Sequence, residues 1–203
     1  MTGAMATLHL GFLASHGGSN MQAIIDACKD GRLDARPCVV ISNNSDSMAL
    51  QRARNEGIPC SHISGATHPG SAEDEEILRV LRRHAVDTVI LAGYMKILGS
   101  VTLHAYRGRI LNIHPALLPK FGGKGMYGKR VHEAVLAAGE RVTGVTIHLI
   151  DENYDTGPIV NQCQVPVLEG DTPDSLSKRV LKHEHALYVE TLQKISDGRI
   201  RLP

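Results

Sequence analysis

The sequence predicts an α/β fold: a single-domain, doubly wound, mostly parallel open sheet with helices on both faces, spanning residues 1–203. Three observations point there. Short apolar, β-branched runs recur at Leu8–Ala14, Cys38–Ser42, Val86–Ala92 and Ile110–His114. Stretches with helical periodicity separate them, and strands alternating with helices at this pace form parallel βα units. The length of 203 residues suits one domain with a sizeable core and is short for two.

Leu8 to Ala14 reads as a buried first strand, with residues 1–7 as a short leader. Met5–Ala14 is the only stretch tempting as a targeting signal, but it lacks a basic start and runs into a glycine turn. That turn, Ser15-His16-Gly17-Gly18-Ser19-Asn20, precedes a helix marked by Met21, Ile24, Ile25 and Cys28 at i, i+3, i+4, i+7. Ser19 and Asn20 are capping types. A strand, a glycine turn and a helix start together offer free N–H groups and a positive dipole end to an anion. Neither Gly-x-Gly-x-x-Gly nor a Walker sequence is present, so one phosphate fits better than a triphosphate. The residues alone equally allow a plain βα turn.

A strand at Cys38–Ser42 follows, then a helix over Met48–Glu56, a short strand at Cys60–Ile63 and a loop at Gly65–Gly70. Ala72 to His84 is acidic first and basic last, which complements a helix dipole and reads as a solvated face. The next strand, Val86–Ala92, continues into Gly93-Tyr94-Met95-Lys96-Ile97-Leu98. Beyond Pro119, Lys120–Gly128 is a basic, flexible loop, and Val131–Ala138 is helical. Val142–Ile150 alternates as a strand with one polar face. Asp151–Pro158 is a loop, Ile159–Val167 a strand antiparallel to its neighbour, and Thr172-Pro173 opens a last helix to about Asp197.

Composition narrows the function. A net charge of +1 with no basic run disfavours a long phosphate-backbone interface, and the absence of Trp leaves little for base stacking. No nucleic-acid partner is expected. Nothing approaches the ~18 apolar residues of a membrane span. Cys28, Cys38, Cys60 and Cys163 include no Cys-x-x-Cys pair, so they read as reduced thiols of a cytoplasmic protein. His183-Glu184-His185 suggests a metal only superficially, because residues two apart on a helix do not share a face.

The richest stretch is Ile110-Leu111-Asn112-Ile113-His114-Pro115-Ala116-Leu117-Leu118-Pro119. It starts as a strand and Pro115 ends it. Alternation puts Asn112 and His114 on one face, with Ile113 on the other. An amide beside an imidazole can stabilise an oxygen that becomes negative during acyl-type transfer, and the imidazole can move a proton near neutral pH. Such a histidine needs a carboxylate partner. Asp151, Glu152 and Asp155 are candidates, and spacing does not choose among them.

Asn112-Ile113-His114-Pro115-Ala116-Leu117-Leu118-Pro119, with Asp155 and Gly17-Gly18-Ser19-Asn20, resembles the folate-dependent formyltransferases over essentially Leu8–Leu202. The Gly-Ser-Asn turn points to the branch acting on glycinamide ribonucleotide in purine synthesis. The resemblance implies a Rossmann-like fold and 10-formyltetrahydrofolate as co-substrate, without metal, in a monomer or homodimer. It also implies that Asn112 and protonated His114 hold the tetrahedral oxyanion while Asp155 raises the His114 pKa. Gly18, Ser19 and Asn20 match the phosphate-holding turn, and Glu184 a carboxylate near the ribose. Met95, Lys96, Ile97 and Leu98, together with Asn112, match the folate side.

The chain departs from the family pattern in four places, one of them the Gly122–Lys129 loop, to which the resemblance assigns no role. Ala116 stands where serine is usual, and Lys96 where arginine is common, which keeps the charge but not the bidentate fork. Ala66–Gly70 lacks an arginine that some relatives place nearby. Lys124, Lys129 and Arg130 read as solvated loop charges, and His148 as a satisfied histidine. Neither the added tRNA-binding domain of methionyl-tRNA formyltransferases nor the regulatory domain of formyltetrahydrofolate hydrolases is expected.

Overall fold

The computed structural model describes residues 7–153 and 155–203. The expected leader lies outside these residues apart from Thr7, as does Tyr154 of the Asp151–Pro158 loop. The strands are β1 (Leu8–Leu13), β2 (Ala35–Ser42), β3 (Cys60–His62), β4 (Thr88–Leu91), β5 (Ile110–His114), β6 (Val142–Leu149) and β7 (Ile159–Pro166). The helices are α1 (Ser19–Lys29), α2 (Met48–Asn55), α3 (Ala72–Arg83), α4 (Ser100–Ala105), α5 (Lys129–Ala137) and α6 (Pro173–Ser196).

They form one sheet in the order β3-β2-β1-β4-β5-β6-β7. The pairings from β3 to β5 are parallel, and β6 and β7 add antiparallel. The strand order reverses between β1 and β4, where ligands of open α/β sheets settle beyond the carboxyl ends. At that point Ser15 N–H donates to the Gly93 carbonyl at 3.0 Å and Met95 N–H to Ser15 Oγ at 2.8 Å. The turns after β1 and β4 are therefore locked side by side.

Alternation along each strand divides two apolar layers. Leu10, Phe12, Val40, Ile90, Leu111 and Ile113 pack toward α1, α2, α5 and α6. Leu13, Val39, Ile41, Val89, Leu91 and Ile110 pack toward α3 and the segment around α4. Asn112 and His114 share the parity of Ile110, so they continue its face at the strand's carboxyl end. Gly11 lets α3 approach β1, since a Cβ there would meet Leu81 Cδ2 at 2.6 Å. Tyr188 of α6 is fully buried, with its hydroxyl within reach of the Leu91 and Leu111 carbonyls at 3.1 and 3.0 Å. The last helix thus anchors the two strands that carry the site.

Four local expectations change. The strand after α3 stops at Leu91, and Gly93 takes a left-handed turn (φ 75°) before α4, a helix the sequence pattern did not reveal. β2 begins earlier, at Ala35, and tolerates Pro37. β6 keeps its alternation, but its polar positions face inward: Thr146 and His148 are buried, as is Thr143. Nor is the acidic start of α3 wholly a solvated face, although Glu75 is exposed. Asp74 accepts from Val101 and Thr102 N–H at 2.8 and 3.2 Å, capping α4 from another helix, and Glu73 pairs with Lys96 at 3.1 Å.

Candidate active site

β5 and β6 build the rigid part of the site. Their register sets Asn112 opposite His148 and His114 opposite Thr146. Thr146 Oγ1 donates to the Ala116 carbonyl at 2.7 Å and accepts from Leu118 N–H at 3.1 Å, which holds the turn after Pro115 against β6. His114 is 3 % exposed, and its Nε2 donates to the Phe121 carbonyl at 2.8 Å. His148 is fully buried, and its Nδ1 donates to the Leu149 carbonyl at 2.9 Å. Its Nε2 faces both the Asn112 amide at 3.1 Å and the Asp155 carboxylate, accepting from the first in the neutral ring and donating to the second in the charged one. One Asn112 N–H is thus committed to His148, leaving the other polar positions of the amide for the cleft that Asn112 lines.

Asp155 is the carboxylate the fold selects. Asp151 instead accepts from Thr156 Oγ1 and Asn153 N–H, closing its own loop. Asp155 takes a left-handed backbone (φ 56°), which aspartate adopts more readily than most residues. Leu149 N–H donates to the Pro158 carbonyl, and any side chain at Gly157 would collide with the Leu149 carbonyl. The loop is thereby pressed onto β6. Asp155 Oδ2 lies 3.6 Å from His114 Nδ1 and Oδ1 lies 3.5 Å from His148 Nε2, while Gly123 N–H donates to Oδ2 at 2.9 Å.

These neighbours set the protonation balance. Burial pushes the His114 pKa down; Asp155 and the Phe121 carbonyl pull it up, and His148 adds to the fall. The net shift is downward, because removing the imidazolium from water outweighs one carboxylate beyond hydrogen-bond length. The upward pull of Asp155 that the resemblance implies is present, and burial outweighs it. For Asp155 itself burial acts upward, yet His148, the Gly123 N–H and His114 together hold it below the usual range. Asp155 is the ionised member.

The glycine turn and the last helix meet. Asn20 Nδ2 donates to Glu184 Oε2 at 2.7 Å across 164 residues. Burial raises the Glu184 pKa, partly offset by Asn20, and Asn20 Oδ1 is buried without a partner. The capping expectation is corrected: the N-cap is Gly18 at φ 65°, with no side-chain cap, and Ser19 is the first helical residue. A Cβ at Gly18 would lie 2.9 Å from Ala49 Cβ, so close packing of α2 demands glycine there. The first-turn N–H groups are consequently left without a side-chain acceptor.

Two hollows flank Asn112 and Asp155. A cleft of about 650 Å³ has His16, Met95, Lys96 and His114 on one side and the 123–127 loop with Arg130 on the other. A smaller cavity of about 90 Å³ lies between Leu91, Ile97, Leu98, Leu103 and the Ile150–Asn153 segment. Met95 and Lys96 thus face the larger space, Ile97 and Leu98 the smaller, and Lys96 borders both. Gly18, Ser19 and Asn20 lie just beyond His16 and do not line either hollow.

His148 is the site residue the sequence reading left out. It is satisfied, as expected, but its partners are Asn112 and Asp155. Only the β5–β6 register reveals that, and spacing does not encode it. Among the described residues no group of three or more His, Cys, Asp or Glu side chains is placed to hold a metal ion, and no helix is long and apolar enough to cross a membrane.

The formyl transferase family model matches residues 9–192. A chloroplastic phosphoribosylglycinamide formyltransferase from Arabidopsis thaliana is 45 % identical over 95 % of this chain and 66 % of its own length. The Escherichia coli (strain K12) phosphoribosylglycinamide formyltransferase is 39 % identical, covering 94 % of this chain and 88 % of that protein. This chain therefore spans just under two thirds of the plant relative. Glycinamide ribonucleotide transformylase 1 from Symbiobacterium toebii superposes with a TM-score of 0.90 at 40 % identity, over 97 % of this chain and 91 % of that one. With the matched segment covering Asn112, His114 and Asp155 alike, the chain belongs to the formyl transferase family.

Proposed function

We propose that this protein transfers the formyl group of 10-formyltetrahydrofolate to the amine of N1-(5-phosphoribosyl)glycinamide, giving formylglycinamide ribonucleotide and tetrahydrofolate in cytoplasmic purine synthesis. The observation that carries this reading is the junction of Asn112, His114 and Asp155, with Asn112 and Asp155 between two hollows, the smaller bordered by Lys96–Leu98 and the larger by His16, Met95 and Lys96. The 203 residues act as one formyltransferase domain on two small-molecule substrates.

The amine attacks the formyl carbon, forming the new C–N bond and placing a negative charge on the formyl oxygen. The cleft-side N–H of Asn112 and a proton on His114 Nδ1 meet that oxygen. Asp155, 3.6 Å from Nδ1, is too distant to take that hydrogen bond for itself but close enough to favour the imidazolium. Collapse breaks the bond to folate N10, which leaves with the proton lost by the amine, relayed by His114. Buried, preorganised donors suit this step because they need no reorganisation as charge develops. Glu184 and Asn20 hold the ribose, and the free N–H groups of the α1 first turn hold the phosphate.

Formyl-folate consumption with and without glycinamide ribonucleotide tests the reading. Tetrahydrofolate and formylated acceptor formed only with the acceptor is the expected result. Folate product in equal amount without it would make the protein a hydrolase, and no product in either arm would remove the enzymatic assignment.

A further inference from the structure

The Lys120–Gly128 loop and the start of α5 carry four cations that are used in two ways. Lys120 pairs with Glu140 at 2.8 Å and Lys129 with Asp174 at 2.9 Å, so the two ends are fastened to the outside of the protein. Lys124 and Arg130 line the 650 Å³ cleft, and among the described residues neither has a carboxylate within 4.0 Å. Arg130 is stacked on the Tyr127 ring, 5.1 Å from its centroid, which orders the guanidinium without neutralising it. At the loop's base Gly122 packs against Leu118 and Asp155, and Gly123 N–H bonds the Asp155 carboxylate. Two unneutralised cations therefore sit on a loop tied at its base to the reacting centre, facing a space that also takes in His16, two residues before Gly18.

We infer that Lys124 and Arg130 form a cationic wall that grips the phosphomonoester of the acceptor from across the cleft, making the glycine loop the element that selects a phosphorylated acceptor. This rests on the proposed formyl transfer for the identity of the acceptor, but the phosphate chemistry stands apart from it. A phosphomonoester dianion needs more than the N–H groups of one helix turn, and a guanidinium offers the matching fork. The wall's contribution is electrostatic and solvent-facing, so it weakens as salt is added.

The test pairs binding with kinetics in the full chain. Titration calorimetry with ribose 5-phosphate and with ribose is run on the wild type, on Lys124→Ala/Arg130→Ala, on Arg130→Lys and on Lys120→Ala as a control outside the cleft. The expected result is a loss of ribose 5-phosphate affinity of about 10- to 100-fold in the double variant, the range for charged hydrogen bonds. Arg130→Lys should recover part of it, and Lys120→Ala should match the wild type. In the transfer assay the double variant should raise the acceptor KM by a similar factor, leave the formyl-folate KM in place and lose its salt sensitivity. Unchanged ribose 5-phosphate affinity in the double variant overturns the inference even if formyl transfer persists. Arg130-dependent phosphate binding in a chain that transfers no formyl group upholds it and sinks the functional reading instead.

Discussion

The two sides of the cleft are built by opposite means. On the β5 side the backbone is hydrogen-bonded to β4 and β6, and each reactive side chain has a second partner: His148 for Asn112 and the Phe121 carbonyl for His114. On the loop side, residues 122–128 include four glycines, three of them at positive φ, and the cations that face the cleft are exposed. Transition-state donors must be held to a fraction of an ångström, which packed strands achieve and glycine loops do not. A flexible phosphate needs charge within reach more than fixed geometry, and a loop provides that. On the proposed reading, chemistry sits on the sheet and substrate selection on the loop.

The contrast can be broken first at His114. His114→Ala should lower kcat by about 10²–10³, the usual loss of one oxyanion donor, while calorimetry still detects binding of both substrates. A variant with near wild-type kcat would end the assignment. Asp155→Asn should lower kcat by roughly 10²-fold and move the alkaline limb of the pH profile to lower pH. The sign follows from the shift: burial already depresses the His114 pKa and Asp155 opposes it, so removing the carboxylate lets it fall further and the active imidazolium is lost at a lower pH. An unmoved limb would remove Asp155 from the site.

His148→Leu sharpens the division within the rigid side. It frees the Asn112 amide without touching substrate, so kcat should fall about 10-fold with KM nearly unchanged. His148→Gln, which can still accept from the amide, should regain part of the loss. A purely structural role would instead lower the unfolding midpoint of both variants and leave kcat alone. The smallest effect is expected on the outer edge of the loop. Lys129→Ala breaks an exposed pair with Asp174, and exposed pairs contribute little to stability. Its thermal midpoint should match the wild type; a drop of several degrees would show that the loop is held as firmly as the sheet.

Much of this was legible because it depends on local rules. Strand alternation placed Asn112 and His114 together, helical spacing found α1, the charge gradient found α3 and the Thr172-Pro173 start found α6. What escaped depends on partners far along the chain. α4 has six residues and is capped by Asp74 from another helix, so no cap appears in its own sequence. The acidic run at Glu73–Glu76 looks like any solvated helix start until Asp74 and Glu73 are seen gripping α4 and Lys96. Loop cations on the outside and in the cleft look identical in sequence, since only the neighbours distinguish Lys120 and Lys129 from Lys124 and Arg130.

By itself the sequence determined the layered α/β architecture, the strand-end pair Asn112 and His114, and the glycine turn before α1. Each follows from backbone preferences and apolar periodicity within a few residues. Only the tertiary structure decided that Asp155 and not Asp151 or Glu152 faces the imidazole, that His148 joins the site, and that burial outweighs Asp155 in setting the His114 pKa. Those outcomes turn on antiparallel register and on how much water the folded chain excludes. Both quantities are sums over the whole packed molecule, and no short stretch of residues specifies them.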